Sequence, residues 1–213
     1  MRSLASLLRA AVLALPALLP AFLPSTAGAQ QFQYTELKPP LPVEAQGKIE
    51  VLEFFWYGCP HCYTLEPHIE AWLKKLPPDV EFRRVPAIFN QRWGHDASIY
   101  YTLEALNLVD KLHRPLFDAI HKANLRTDSE AALSEWLQKN GVDPKKFMDT
   151  LKSFGVQSKT RRAVQQTVAY KIDGTPAMAV AGRYTVSAQQ GRTQQGILDA
   201  VDSLVAVVRK QPK

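Results

Sequence analysis

A chain of 213 residues, 46% hydrophobic and 22% charged, is long enough for one good core and an insertion within it. Its net charge of +6 is carried by scattered basic residues, which excludes the concentrated stripe of a nucleic-acid-binding surface. Two cysteines in the whole chain exclude a fold held by a disulfide framework.

In chain order, Arg2 and Arg9 bracket a short basic start, residues 10–23 are apolar, and Ala27-Gly28-Ala29 offers a small-x-small cleavage site. This pattern predicts a secretory signal peptide over 1–29, removed to leave a mature chain from Gln30 outside the cytoplasm. An uncleaved anchor fits poorly, because Pro16, Pro20 and Pro24 break the run and it falls short of the roughly 20 apolar residues that span a bilayer. Residues 49–56 read as a strand buried on both faces, with Glu53 as its anomaly. Leu65, Ile69, Trp72, Leu73 and Leu76 recur at helical spacing, predicting an amphipathic helix kinked by Pro67 and ended by Pro77-Pro78. Residues 80–85 form the next strand.

From residue 92 to 162 the pattern becomes four or five short helices. Thr127-Asp128-Ser129-Glu130 has capping-box spacing, Asn140-Gly141 reads as a helix stop, and Asp143-Pro144 as a cap with a first-turn proline. Helical periodicity continues to about residue 171. Residues 177–181 and 183–186 then predict a hairpin around Gly182, and residues 193–210 a last helix. The architecture expected is an α/β sheet domain, 30–91 with 163–213, interrupted by a helical insertion at 92–162.

Cys59 and Cys62 enclose Pro60 and His61 where the strand ends and the helix begins. A bridge across two intervening residues adds little stability, so a staple explains the pair poorly. The free N–H groups of a helix N-terminus favour an anion, which makes Cys59 the nucleophilic thiolate and Cys62, one turn in, the buried resolving thiol. Pro60 suits the first helical turn, and a cationic His61 would stabilise the thiolate further. A zinc site would need two histidines beside the two sulfurs, and no pair has finger spacing. Tyr63 stands where c-type haem attachment requires histidine. His68, His95, His113 and His121 read as ordinary surface or helix residues. Phe54 starts an aromatic run, through Tyr57, that belongs to the core at first and then lines an apolar patch beside Cys59.

Val51-Leu52-Glu53-Phe54-Phe55, Cys59-Pro60-His61-Cys62-Tyr63, Gly174-Thr175-Pro176-Ala177-Met178 and Gly182-Arg183-Tyr184 together resemble the DsbA thiol:disulfide oxidoreductases of the bacterial periplasm. The resemblance implies a thioredoxin-like fold with an inserted helical domain, a periplasmic location, and donation of a disulfide to newly exported, unfolded proteins with free cysteines. It also implies a monomer without cofactor or metal, reoxidised by a quinone-linked, DsbB-like membrane oxidase. Glu53 matches the family's buried acid, which helps move the proton of the resolving thiol; a solvent-facing strand end is its other reading. Pro176 matches the cis-proline of the peptide-binding loop, and Thr175 precedes it where many relatives carry valine. A disulfide isomerase is the nearest alternative, but family isomerases carry an N-terminal dimerisation domain and only residues 30–58 precede Cys59 in the mature chain. A secreted peptide-binding chaperone with an inert cysteine pair is the alternative from another class.

Overall fold

The computed structural model describes residues 32–211; the expected signal peptide and its cleavage site lie outside the described residues. The central strand, β2 (Ile49–Phe55), is buried at every position after Ile49, as a strand covered on both faces must be. It pairs in parallel with β3 (Val80–Pro86) and antiparallel with β4 (Ala177–Val180). The parallel pair is joined by the crossover helix α1 (Pro60–Leu73), which contains Pro67; Leu76 falls beyond its end. β4 turns into β5 (Tyr184–Ser187) through Ala181 and Gly182, both at positive φ, 52° and 63°, the turn whose twist suits a tight hairpin. A two-residue strand that the sequence pattern does not announce, β1 (Thr35–Glu36), adds to the edge of β5, giving the order β1-β5-β4-β2-β3.

Between β3 and β4 run the helices α2 (Gln91–Ala105), α3 (Val109–Ala123), α4 (Glu130–Lys139), α5 (Pro144–Leu151) and α6 (Phe154–Ala169). After β5 come one turn of helix, α7 (Ala188–Gly191), also unannounced, and α8 (Gln194–Arg209). The sheet divides two cores. Val51, Met178, Val180 and Val186 pack with Leu65 and Ile69 of α1 and with Ile197 and Val201 of α8. Leu52, Phe54 and Ala179 share the other core with Leu103, Leu116, Leu137 and Phe147 of the inserted helices. Each such fully buried leucine or phenylalanine stabilises the fold by roughly 1.5–3 kcal/mol.

The expected stops hold at α4, capped by Asn140 with Gly141 at φ 73°, and at α5, where Asp143 caps and Pro144 leads. The capping box does not form as its spacing suggested. Ser129, not Thr127, is the N-cap of α4, accepting from Ala132 N at 3.3 Å. Thr127 is buried instead, and its hydroxyl donates to Asp96 Oδ1 at 2.6 Å, a tertiary bond that outcompetes the local one.

Candidate active site

Cys59 is the N-cap of α1, with extended backbone (φ −86°, ψ 116°) and Pro60 as the first helical residue. Its sulfur accepts from Cys62 N at 3.4 Å, and its own N–H donates to Trp56 O at 3.0 Å. From across the sheet, Thr175 O lies 3.3 Å from Cys59 Sγ, on the loop in which the Thr175–Pro176 peptide bond is cis. The loop after α6 and the head of α1 therefore meet at one sulfur, although Cys59 and Thr175 are 116 positions apart.

The Cys59 thiol is lowered to about 5, chiefly by the hydrogen bond from Cys62; burial opposes this, and the Thr175 hydroxyl and the backbone N–H groups of Cys62 and His61 add to it. The two groups of Thr175 act in opposite senses: its hydroxyl donates to a thiolate, whereas its carbonyl can only accept from a protonated thiol. Cys62 is fully buried, and burial pushes its thiol well above the ordinary range, with the bond to Cys59 and the charges of Cys59 and Glu53 adding to the effect. Both cysteines are free thiols here. The His61 ring is exposed, and the His61 backbone N–H is among the groups that lower the Cys59 thiol.

Below the cysteines lies a buried charge cluster. Glu53 has no solvent exposure, so the solvent-facing reading of this residue does not hold. Burial raises its carboxyl to about 8, with the Glu66 charge adding and Arg84 opposing. Arg84 stands opposite it on β3, with Nε 3.1 Å from Glu53 Oε2, and reaches Glu66 Oε2 with Nη2 at 2.9 Å. The other oxygen of Glu66 meets His113 Nε2 at 3.0 Å, and His113 Nδ1 meets Tyr57 Oη at 2.9 Å. Burial pushes Glu66 up as well, but His113 and Arg84 outweigh it and hold this carboxyl below its ordinary value.

His113 is thus a correction to the sequence reading: it is 5% exposed and bonded through both ring nitrogens. His121 and His95 are also tied in, donating to Tyr57 O and Thr127 O, each at 2.8 Å. Glu66 and Arg84 were not singled out from sequence, and Tyr57 was read only as the end of the aromatic run. The one available signal was Glu66 itself, an acid within the buried helical stripe Cys62, Leu65, Glu66, Ile69. Beside the cysteines, Trp56 stacks on Trp93 at 4.2 Å, Phe89 packs on Trp93 at 4.8 Å, and Asp96 anchors the Trp56 indole N–H at 2.8 Å. Of the run expected to end in an apolar patch, Tyr57 is core at 1% exposure, and Trp56 forms this shelf with Trp93 and Phe89.

Residues 84–198 match the family described as DSBA-like thioredoxin domain. That stretch begins after the cysteines, but longer relatives cover them. The thiol:disulfide interchange protein DsbA of Bordetella parapertussis is 44% identical over 205 residues, 96% of each chain. The chain belongs to the DsbA-like thioredoxin family. Among solved structures, DsbA of Pseudomonas aeruginosa superposes with a TM-score of 0.79 at 38% identity, covering 84% of this chain and 93% of that one. A reduced DsbA of Neisseria meningitidis gives 0.71 at 29% identity, covering 88% and 97%. The fold is accordingly a thioredoxin-like α/β sheet with inserted helices, and DsbA-like membership together with the Cys-x-x-Cys pair makes this chain a thiol:disulfide oxidoreductase.

Proposed function

We propose that this protein donates a Cys59–Cys62 disulfide to unfolded, newly exported polypeptides in the periplasm. The observation that carries the reading is the unequal treatment of two sulfurs one helical turn apart: Cys59 is lowered to about 5 while Cys62 is raised. A thiol at about 5 is roughly 99% thiolate at pH 7, so the dithiol form is stabilised and the disulfide becomes a strong electron acceptor. An inert pair in a chaperone would keep ordinary thiols.

In the oxidised protein, a substrate thiolate attacks Cys59 Sγ, the Cys59–Cys62 bond breaks, and Cys62 leaves with the electron pair. Cys62, buried, takes up a proton, for which Glu53 is the nearby acid. A second substrate thiolate then attacks the substrate sulfur of the mixed disulfide, and Cys59 departs as the thiolate it prefers to be. The substrate loses two electrons and two protons; the protein gains two electrons and ends with one thiol and one thiolate. A quinone-linked, DsbB-like membrane oxidase would take those electrons back. Pro60 frees the first turn of α1 of an N–H that would lack a partner. Thr175 and Pro176 present extended backbone to the substrate peptide, and the shelf of Trp56, Trp93 and Phe89 receives its apolar side chains. Residues 92–162 serve as the inserted subdomain, which contributes Trp93 to this shelf, and the protein works as a monomer.

Export rests on the basic, apolar and small-residue order of residues 1–29; among the described residues no helix is long and apolar enough to cross a membrane. The test is oxidation of a reduced, unfolded peptide by the purified disulfide form, with equilibration against glutathione. Stoichiometric oxidation that disappears in Cys59→Ser is expected. Failure to oxidise the peptide, or a thiol that alkylates only near pH 8.5, an ordinary cysteine's value, overturns the reading.

A further inference from the structure

Two carboxylates, Glu53 and Glu66, are fully buried and share one arginine. One guanidinium balances one carboxylate, so at neutral pH the pair holds one proton between them, and burial alone does not say where. The donors around them are unequal. Glu66 accepts one bond at each oxygen, from Arg84 Nη2 and from His113 Nε2. Among the described residues neither oxygen of Glu53 has a donor in hydrogen-bond geometry. Arg84 Nε is close enough to Glu53 to attract its charge but is itself without a hydrogen-bond partner, so we read this contact as an unaligned ion pair.

We propose that His113, supplied by the inserted helix α3, is a positioning residue that assigns the shared proton to Glu53, by committing its Nε2–H to Glu66. The imidazole is oriented for this. Tyr57 Oη stands 2.9 Å from Nδ1, and a phenol that donates there leaves Nδ1 as acceptor and the proton on Nε2, facing the carboxylate. The groups around the ring keep it neutral. Burial disfavours the imidazolium, Arg84 of β3 and Arg114 of α3 repel it, and Glu66 of α1 attracts it. Its remaining neighbours, Tyr57, Tyr100 of α2, Phe55 and Phe117, are uncharged at neutral pH. A neutral histidine donates without adding a cation, so it selects the ionised carboxylate without discharging the cluster.

The consequence for disulfide exchange rests on the function proposed above. A proton kept on Glu53 lies beside the cysteines, where it is available to Cys62 when that sulfur leaves, and it withholds a negative charge from the Cys59 thiolate. In His113→Leu, Glu66 loses a donor and becomes the better base, so the proton moves to it and Glu53 ionises beside the sulfurs. The Cys59 alkylation midpoint should then rise by about one pH unit, a tenfold lower thiolate fraction at acidic pH. His113→Gln, whose amide can both donate to Glu66 and accept from Tyr57, should restore the wild-type midpoint.

The deciding measurement does not depend on activity. Infrared spectra of the reduced protein at pH 7 should show a protonated-carboxyl C=O band whose frequency is shifted by Glu53→Asp, which keeps the charge balance of the pair, and left in place by Glu66→Asp; in a His113→Leu background the two assignments should exchange. Nitrogen NMR of wild-type imidazoles should find His113 neutral and protonated at Nε2, which tests its role even if His113→Leu does not fold. A band assigned to Glu66 in the wild type, an unchanged assignment in His113→Leu, or a His113 imidazolium at pH 7 overturns the proposal. Loss of peptide oxidation by the wild type with the expected infrared pattern intact would instead count against the proposed function.

Discussion

The Cys59 thiolate should be visible in the stability of the reduced protein. A thiol lowered from about 9 to about 5 on folding has a depressed folded-state pKa. Its contribution is therefore fully present above the unfolded value and is lost as pH falls through about 5. The full contribution, above pH 9, is about 5 kcal/mol at about 1.4 kcal/mol per pH unit. At pH 7 the unfolded thiol is still protonated, so about 3 kcal/mol remains, and at pH 4 almost none. Cys59 is 7% exposed as a residue, so screening by solvent takes little of this away. Serine at this position cannot ionise in the range, so reduced wild type minus Cys59→Ser isolates the effect from other carboxylates titrating below pH 7. With a urea slope of about 2 kcal/mol per molar, the difference between the two midpoints should shrink by roughly 1–1.5 M between pH 7 and pH 4. Chemical denaturation followed by Trp fluorescence, with reductant present throughout, measures it. A difference that stays constant from pH 7 to pH 4 would mean that the folded protein does not favour the thiolate, and the proposed redox chemistry would lose its driving force.

Other perturbations should separate the parts of the site. Thr175→Val removes the hydroxyl that donates to the thiolate and should raise the Cys59 alkylation midpoint by roughly half to one pH unit; an unmoved midpoint would assign the whole effect to α1. Glu53→Gln should slow reoxidation and flatten its pH dependence around pH 8, where the wild-type carboxyl titrates, and stopped-flow fluorescence would show identical profiles if Glu53 takes no part. Because the Glu53 carboxyl is raised on folding, wild type should also lose stability relative to Glu53→Gln as pH climbs from the ordinary carboxylate range to about 8. Asp96→Ala strips partners from the Trp56 indole and the Thr127 hydroxyl, and should cost roughly 2–4 kcal/mol in urea denaturation while loosening the aromatic shelf; an unchanged midpoint would show that Asp96 does not anchor it.

What could be read from sequence was whatever a short segment decides by itself. The apolar run of β2, the turn of α1 beginning at Pro60, the caps at Asn140 and Asp143, and the hairpin at Gly182 each depend on residues within a few positions. The cluster beneath the cysteines was not legible because its bonds cross the fold: His113 and Glu66 are 47 positions apart, and Tyr57 and His113 are 56. A histidine on α3 looks the same in sequence whether it faces water or a carboxylate. Thr127 shows the reverse failure, a sound local signal overruled by Asp96, 31 positions away. The Thr175 contact with Cys59 was reached only through family resemblance, since nothing local to either residue predicts a meeting across 116 positions.

The opposite ionisation of Cys59 and Glu53 follows from where each lies along one strand and helix. Glu53 sits inside β2, where neighbouring strands flank it on both sides, with Arg84 and Met178 as its register partners. The backbone N–H groups there are committed to ladder hydrogen bonds, none is left for a carboxylate, and burial therefore drives the acid to keep its proton. Six residues later the ladder has ended and α1 begins with N–H groups that have no partner within the helix. Cys59 is almost as buried a residue, at 7% against 0% exposure, yet its sulfur receives donors and so gives its proton up. At Cys59 the Cys62 thiol first, then the Thr175 hydroxyl and the backbone N–H groups of Cys62 and His61, outweigh burial, whereas at Glu53 burial outweighs Arg84. The change from strand to helix thus places an acid that holds its proton and a sulfur that releases one within the same site, the pair of states that disulfide donation needs.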